Sequence, residues 1–119
     1  MTVYASARVC AEAKAELVRS GARADSLRVR ILCTRAVEAG GRLDLAAAGA
    51  NARRAVEDSS AVAYLEAPGP AIAVTRPILD EADLGLIATG SGARGMATVL
   101  DALRSRGEDE SPRESVWDR

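Results

Sequence analysis

Short apolar runs alternate with stretches of helical period along most of this chain. The pattern is plainest over residues 44–88, which read as helix, buried strand, helix and buried strand with connections of a few residues. The first of these helices is phased by Leu45, Ala48, Gly49, Ala52 and Val56, the second by Ala71, Val74, Thr75, Ile78, Leu79 and Ala82. Both follow the three-and-four spacing of one apolar face. Residues 61–65 and 84–88 are almost continuously apolar, as strands of a parallel sheet covered by helices on both faces are.

The flanks extend this unit. Residues 2–6 form an apolar strand, and residues 8–20 a helix with Cys10, Ala13, Leu17 and Gly21 on its inner face, Gly21 being a natural stop. Residues 27–33 alternate: Leu27, Val29, Ile31 and Cys33 point one way, Ser26, Arg28 and Arg30 the other. Such a strand is half exposed and belongs at a sheet edge. A loop with Gly40 and Gly41 leads to Asp44, a candidate N-cap. After Thr89 and the GSGARG segment, a last helix over 96–106 is phased by Met96, Val99, Leu100 and Leu103. Pro70 suits a helix start, and Pro77 is expected to bend its helix around the sheet. The expected fold is a three-layer flavodoxin-like α/β domain over residues 1–106, with a four-stranded parallel sheet of order 2-1-3-4 and helices on both faces. Residues 107–119 form a charged tail in which Ser111 to Glu114 has a capping-box pattern, so a short helix there would need a surface for Val116 and Trp117.

Composition narrows the function classes. Phe is absent, with one Trp and two Tyr, so the core is expected to come from close approach of Ala, Val, Leu and Ile. Net charge is −1 and the basic residues are scattered among acids, which argues against a nucleic-acid partner, since phosphodiesters need a clustered basic face. There is no histidine, and no Cys, Asp and Glu group at ligand spacing replaces it, so neither a catalytic residue nor a metal or other cofactor is expected. No apolar run approaches the roughly 20 residues that span a bilayer, so no membrane span is expected. Met1 leads directly into a strand without a charged-then-apolar leader, which if the chain is complete implies the cytoplasm. Cys10 and Cys33 fall at the same sheet edge, with Cα atoms expected within about 7 Å. Both a disulfide and two buried free thiols remain open, and the absence of a Cys-x-x-Cys spacing argues against a redox catalyst.

Gly90, Gly92 and Gly95 make a literal G-x-G-x-x-G between a strand and a helix. Glycines let a backbone approach a pyrophosphate, and free helix-start amides favour an anion. In a dinucleotide fold this turn follows the first strand, whereas here it follows the last, so a flexible connection is the expected reading and phosphate or nucleotide binding the alternative.

ANARRAVEDSSAVAYL followed by AIAVTRPILDEADLGLIA resembles the amino-terminal lobe of type I periplasmic substrate-binding proteins, the branched-chain amino acid receptors of ABC transporters. The opening TVYASA and the strand RVRILC also fit, and SGARGMATVLDALRSRGEDESPRESVWD resembles the segment with which those receptors return to their first lobe. The second lobe would lie between about Thr89 and Met96, where GSGARG looks like the place at which it is missing. The resemblance implies a non-catalytic, extracytoplasmic lobe whose partners are a small amino acid or amide and ABC transporter components. It implies ligand contacts at Ser6, Thr89 and Ser91, beyond the carboxyl ends of strands, the alternative being hydroxyls engaged in turns and caps. The family's serine after the third strand is replaced by Glu66-Ala67-Pro68-Gly69-Pro70, and the prolines remove amide donors, so binding is expected to be weak or lost. An apolar rim at Ala67, Pro68, Pro70 and after Ala88 would then be covered by a second copy in a homodimer. A structural or oligomerising remnant is the third reading.

Overall fold

In a computed structural model that describes residues 1–21, 28–39 and 41–106, strands and helices follow in the order β1 (Thr2–Ala5), α1 (Ala7–Arg19), β2 (Arg30–Cys33), β3 (Glu38–Ala39), β4 (Arg42–Leu43), α2 (Leu45–Glu57), β5 (Ala61–Glu66), α3 (Ile72–Glu81), β6 (Leu86–Ala88) and α4 (Gly92–Arg106). Four strands form one sheet, β2-β1-β5-β6, every neighbouring pair parallel. The α/β class is therefore as expected; numbered along the chain the order is 2-1-5-6 rather than 2-1-3-4, because two further short strands precede β5. A small antiparallel hairpin, β3 with β4, intervenes after β2, where the sequence pattern suggests only a loop. Gly41, which directly precedes β4, takes φ +76°, a left-handed conformation that glycine adopts without steric cost. Strand β2 lies at the sheet edge with Arg28 and Arg30 exposed. Ser26, Leu27, Gly40 and the tail 107–119, with Val116 and Trp117, lie outside the described residues.

The helices cover both faces. Helices α1 and α4 pack on Val3, Ala5, Ile31 and Leu65, while α2 and α3 pack on Tyr4, Ala61 and Tyr64. The expectation of an all-aliphatic core needs correction here. Tyr4 and Tyr64 are paired in register across β1 and β5, and their buried rings stack with centroids 6.4 Å apart. They supply the volume that small α2 residues such as Ala52 and Ala55 leave unfilled.

Local signals explain most element ends. Helix α1 stops before Gly21, at φ +68°, and the Asp44 carboxylate caps α2 by accepting from the Ala47 amide, 3.0 Å. Leu45 is not on the inner face. As the first helical residue it is 51% exposed, and burial passes to Ala48, Gly49, Asn51, Ala52 and Ala55. Strand β6 is shorter than its apolar run: Leu84 is buried ahead of it, beside Asp83 in the left-handed region at φ 57°. Pro77 lies within α3 on its exposed side. Helix α4 begins at Gly92 rather than near Met96, because Ser91 caps it: its hydroxyl accepts from the Arg94 amide (3.2 Å) and its carbonyl from the Gly95 amide (3.0 Å). The connection from β6 is therefore only residues 89–91, not a six-residue flexible loop.

A polar chain closes the amino-terminal end of the sheet. Arg30 Nε donates to Thr2 Oγ1 (3.0 Å), Thr2 and Ser60 share a bond of 2.8 Å, and the Ser60 hydroxyl donates to Asp58 Oδ1 (2.6 Å). The Tyr4 hydroxyl donates to the other Asp58 oxygen, 2.7 Å. The bonds from Ser60 and then Tyr4 hold the Asp58 carboxyl at about 2, below its usual 3.8. A carboxyl whose folded pKa is depressed contributes stability that is present above its unfolded value and lost as the pH falls through its folded value. Stability should accordingly decline between about pH 4 and pH 2. Asp58→Ala should cost about 2 kcal/mol at neutral pH, since the buried Tyr4 hydroxyl loses a charged acceptor, and should flatten that acid limb. Urea denaturation of both proteins at pH 7 and pH 3 checks both statements.

Candidate functional site

Strand β1 is followed in the chain by its neighbour on one side, β2, and paired on the other with β5. Loops that leave β1 and β5 thus diverge to opposite faces of the sheet, and the crevice between them is where open α/β sheets take ligands. A cleft of about 200 Å³ lies at this point. Ser6 and Arg8 line it from the start of α1, Arg35 to Glu38 from the segment after β2, and Glu66 to Gly69 from the end of β5.

Each wall is anchored. Ser6 donates its backbone amide to the Leu65 carbonyl (2.8 Å), and its hydroxyl accepts from the Ala67 amide (3.3 Å), which joins the β1 and β5 ends. The hydroxyl does not cap α1, whose first turn has no side-chain cap. The wall after β2 is held by the Thr34 amide, which donates to the Ala5 carbonyl (2.8 Å), and by two further ties. Asn51 Nδ2 donates to the Arg35 carbonyl (2.9 Å), and Cys33 is joined by a disulfide to Cys10 of α1, with Cα atoms 5.6 Å apart.

Glu66 is the unusual group. It is 4% exposed, and its Oε1 is buried with no hydrogen-bond partner among the described residues. Burial pushes its carboxyl up, an effect that the Thr75 hydroxyl only partly offsets. The same buried surroundings push the Tyr64 hydroxyl up, against a bond with Thr34 and with the Glu66 charge adding to the shift. Glu66, Arg8 and Arg35 all line the cleft, the arginines exposed and Glu66 Oε1 closed to solvent. Among the described residues no group of three or more His, Cys, Asp and Glu is placed to hold a metal ion.

Of the hydroxyls expected to bind ligand, only Ser6 lies in this cleft. Thr89 and Ser91 follow β6 and are engaged locally. Thr89 Oγ1 donates to the Ser91 carbonyl (2.8 Å) and accepts from the Ser91 amide (3.0 Å), while Ser91 caps α4. The glycines of GSGARG have separate surroundings. Gly90 has open space, whereas Gly92 is buried against α1, where a Cβ would stand 2.0 Å from the Val9 carbonyl oxygen. A Cβ on Gly95 would meet Thr89 and Leu65 side chains at 2.9 and 3.2 Å. The Gly92 amide already donates to Glu12 Oε1, 3.0 Å, so a carboxylate of the chain itself occupies this helix start.

Arg8, Arg35 and Glu66 are absent from the set expected on sequence grounds. Glu66 carries a readable signal, being a carboxylate at the end of the run AVAYL in a strand predicted to be covered on both faces. Arg35 carries none, because it enters the cleft only through the path of the segment after β2. Among the described residues no helix is long and apolar enough to cross a membrane. No protein-family model, no curated protein and no solved structure matches this chain.

Proposed function

We propose that this chain is a non-catalytic ligand-binding lobe of flavodoxin-like topology, similar to the amino-terminal lobe of type I periplasmic substrate-binding proteins, and that a small amino acid or amide occupies the cleft between the ends of β1 and β5. The observation that carries this reading is the cleft itself: a small polar-and-apolar hollow at the crossover of a parallel sheet, lined by Ser6, Arg8, Arg35 and Glu66. Its ligand contacts are Ser6, Arg8, Arg35 and Glu66 rather than Thr89 and Ser91. ABC transporter components are the partners that this reading entails, with an extracytoplasmic location.

Thermal unfolding with leucine, isoleucine, valine and small amides tests it. A ligand that binds only the folded state stabilises it by about 3 kcal/mol at a hundredfold excess over Kd, which for a chain of this size raises the midpoint by roughly 10 °C or more. No shift with any of these compounds would refute the reading. Stabilisation by nucleotides alone would instead favour GSGARG as a phosphate site, a reading that the engaged Gly92 amide disfavours.

The same proposal includes a homodimer. Pro68 and Pro70 are exposed beside half-buried Ala67 on the rim of the cleft, and a second copy would cover them. Sedimentation at micromolar concentration should show a dimer that Ala67→Asp weakens; a strictly monomeric, soluble wild-type chain contradicts it.

A further inference from the structure

Apolar surface gathers at one corner of the amino-terminal end of the sheet. Helix α1 connects the parallel strands β1 and β2 and so runs antiparallel to both, and the Cys10–Cys33 bond sets its level against β2. From Cys10 the helix rises about 10 Å to Leu17, and from Cys33 the strand runs back about 10 Å to Arg30. Leu17 and Val18 therefore stand level with Val29 and Arg30. Leu17 and Val29 are half-buried and pack against the core between α1, α4 and the sheet. Val18 is 83% exposed, one of two large hydrophobic residues so exposed among the described residues. Arg28 and Arg30 flank Val29 and are exposed, with Arg30 Nε bonded to Thr2. The corner is thus apolar with a basic edge.

The carboxyl-terminal segment starts beside this corner. Arg104 Nη2 donates to the Ser20 carbonyl (3.3 Å), which places the end of α4 against the end of α1, and residues 107–119 continue from there. They carry five acids and two arginines, so of the chain's net charge of −1 they contribute −3 and residues 1–106 contribute +2. Within them Val116 and Trp117 stand between Glu114 and Asp118, an apolar pair with acidic flanks that complements the corner. Reach agrees. Neighbouring helices lie about 8–10 Å apart, so passing the end of α1 takes roughly that distance, while residues 107–117 can span up to about 36 Å. The cleft at the carboxyl end of the sheet is the 15-residue length of α4 away, about 22 Å before any sideways step, and would use most of that reach. The capping-box segment at Ser111 to Glu114 begins too short a helix to hold by itself, and packing of an apolar side against a surface is what stabilises such helices.

We propose that residues 107–119 fold back on their own chain, with Val116 and Trp117 seated on Leu17, Val18 and Val29 and with Glu114 and Asp118 beside Arg28 and Arg30. The seat is separate from the cleft and from its rim at Ala67, so it stands or falls independently of the ligand-binding reading. Trp117 is the only tryptophan, and its selectively excited fluorescence reports the docking directly. In the native full-length chain its emission should lie to the blue of that in urea and resist acrylamide quenching, equally at nanomolar and micromolar protein. Val18→Asp places a charge on the seat and should return the emission to its position in urea. Val18→Ser removes apolar surface without adding charge and should shift it the same way. Arg28→Glu should cause part of that shift, as should molar salt, which screens exposed charge pairs. Positions 18 and 28 are exposed, so helix content by circular dichroism should stay at the wild-type value, and only variants that keep it are read. Ala67→Asp, at the opposite end of the sheet, should leave the emission unmoved. Native emission that matches the chain in urea overturns the proposal, as does protection that survives both changes at Val18. Protection that fades on dilution assigns the seat to a second copy, and protection lost in Ala67→Asp alone assigns it to the cleft rim; either result also overturns it.

Discussion

Gly92→Ala is expected to destabilise the folded chain by about 3 kcal/mol or more, although alanine is the better helix former by about 1 kcal/mol. The Cβ it introduces would stand 2.0 Å from the Val9 carbonyl oxygen, 2.8 Å from the Ala13 amide nitrogen and 2.9 Å from Glu12 Cβ. Two of these neighbours are backbone of α1, so no rotamer change relieves the contact and the two helices must separate. Separation exposes Val9, Cys10, Ala13, Val99 and Leu103, which belong to the core between α1, α4 and the sheet, and it lengthens the bond from the Gly92 amide to Glu12. Gly90→Ala is the control. Nothing lies within 4 Å of its Cβ position and its φ is not in the left-handed region, so a change within about 0.5 kcal/mol is expected, as for other unencumbered surface sites. Guanidinium denaturation of the two variants separates packing from binding. A phosphate loop would tolerate both changes in stability and lose ligand, whereas a packing glycine loses stability at position 92 alone.

The sequence pattern carried the sheet and its coverage because burial repeats at the period of each element. Val3 and Ala5 against Tyr4, or Met96, Val99, Leu100 and Leu103, sort onto faces by spacing alone. What was illegible depends on contacts between distant residues. Gly92 looks like a loop glycine until α1 is placed beside it, and the start of α4 at Gly92 follows from the Ser91 cap together with that approach. Gly40-Gly41 between Glu38 and Arg42 was a legible hairpin signal in residues that otherwise lack the alternation of a strand. Thr89 and Ser91 resembled ligand hydroxyls because they follow a strand, yet the next backbone groups already satisfy them. The cleft shifts instead toward Glu66, whose significance lies in a missing partner. No local pattern encodes that, since it is a property of every neighbour at once.

Removing the Cys10–Cys33 disulfide should lower stability by about 3 kcal/mol. The bond spans a sequence separation of 23, and in the chain-entropy account a closed loop of this order restricts the unfolded ensemble by roughly that amount. It ties α1 to β2, since Cys10 sits within α1 at 2% exposure and Cys33 ends an edge strand. Cys10→Ala with Cys33→Ala avoids burying a hydroxyl in place of the thiol, so the loss then reports the cross-link and the small volume of two sulfurs. Thiol titration of the unreduced, unfolded wild type should find no free thiol; two would show that the bond is not made. Reductant should bring the wild-type denaturation midpoint close to that of the double variant and leave the variant unmoved. The cleft should feel the same change, because Arg35 lies two residues beyond Cys33 and is held after loss of the cross-link by the Thr34 amide bond to the Ala5 carbonyl and the Asn51 bond to its own carbonyl. Ligand stabilisation should therefore weaken in the reduced protein by more than the loss of fold stability alone produces, which titration at a temperature well below both midpoints measures directly.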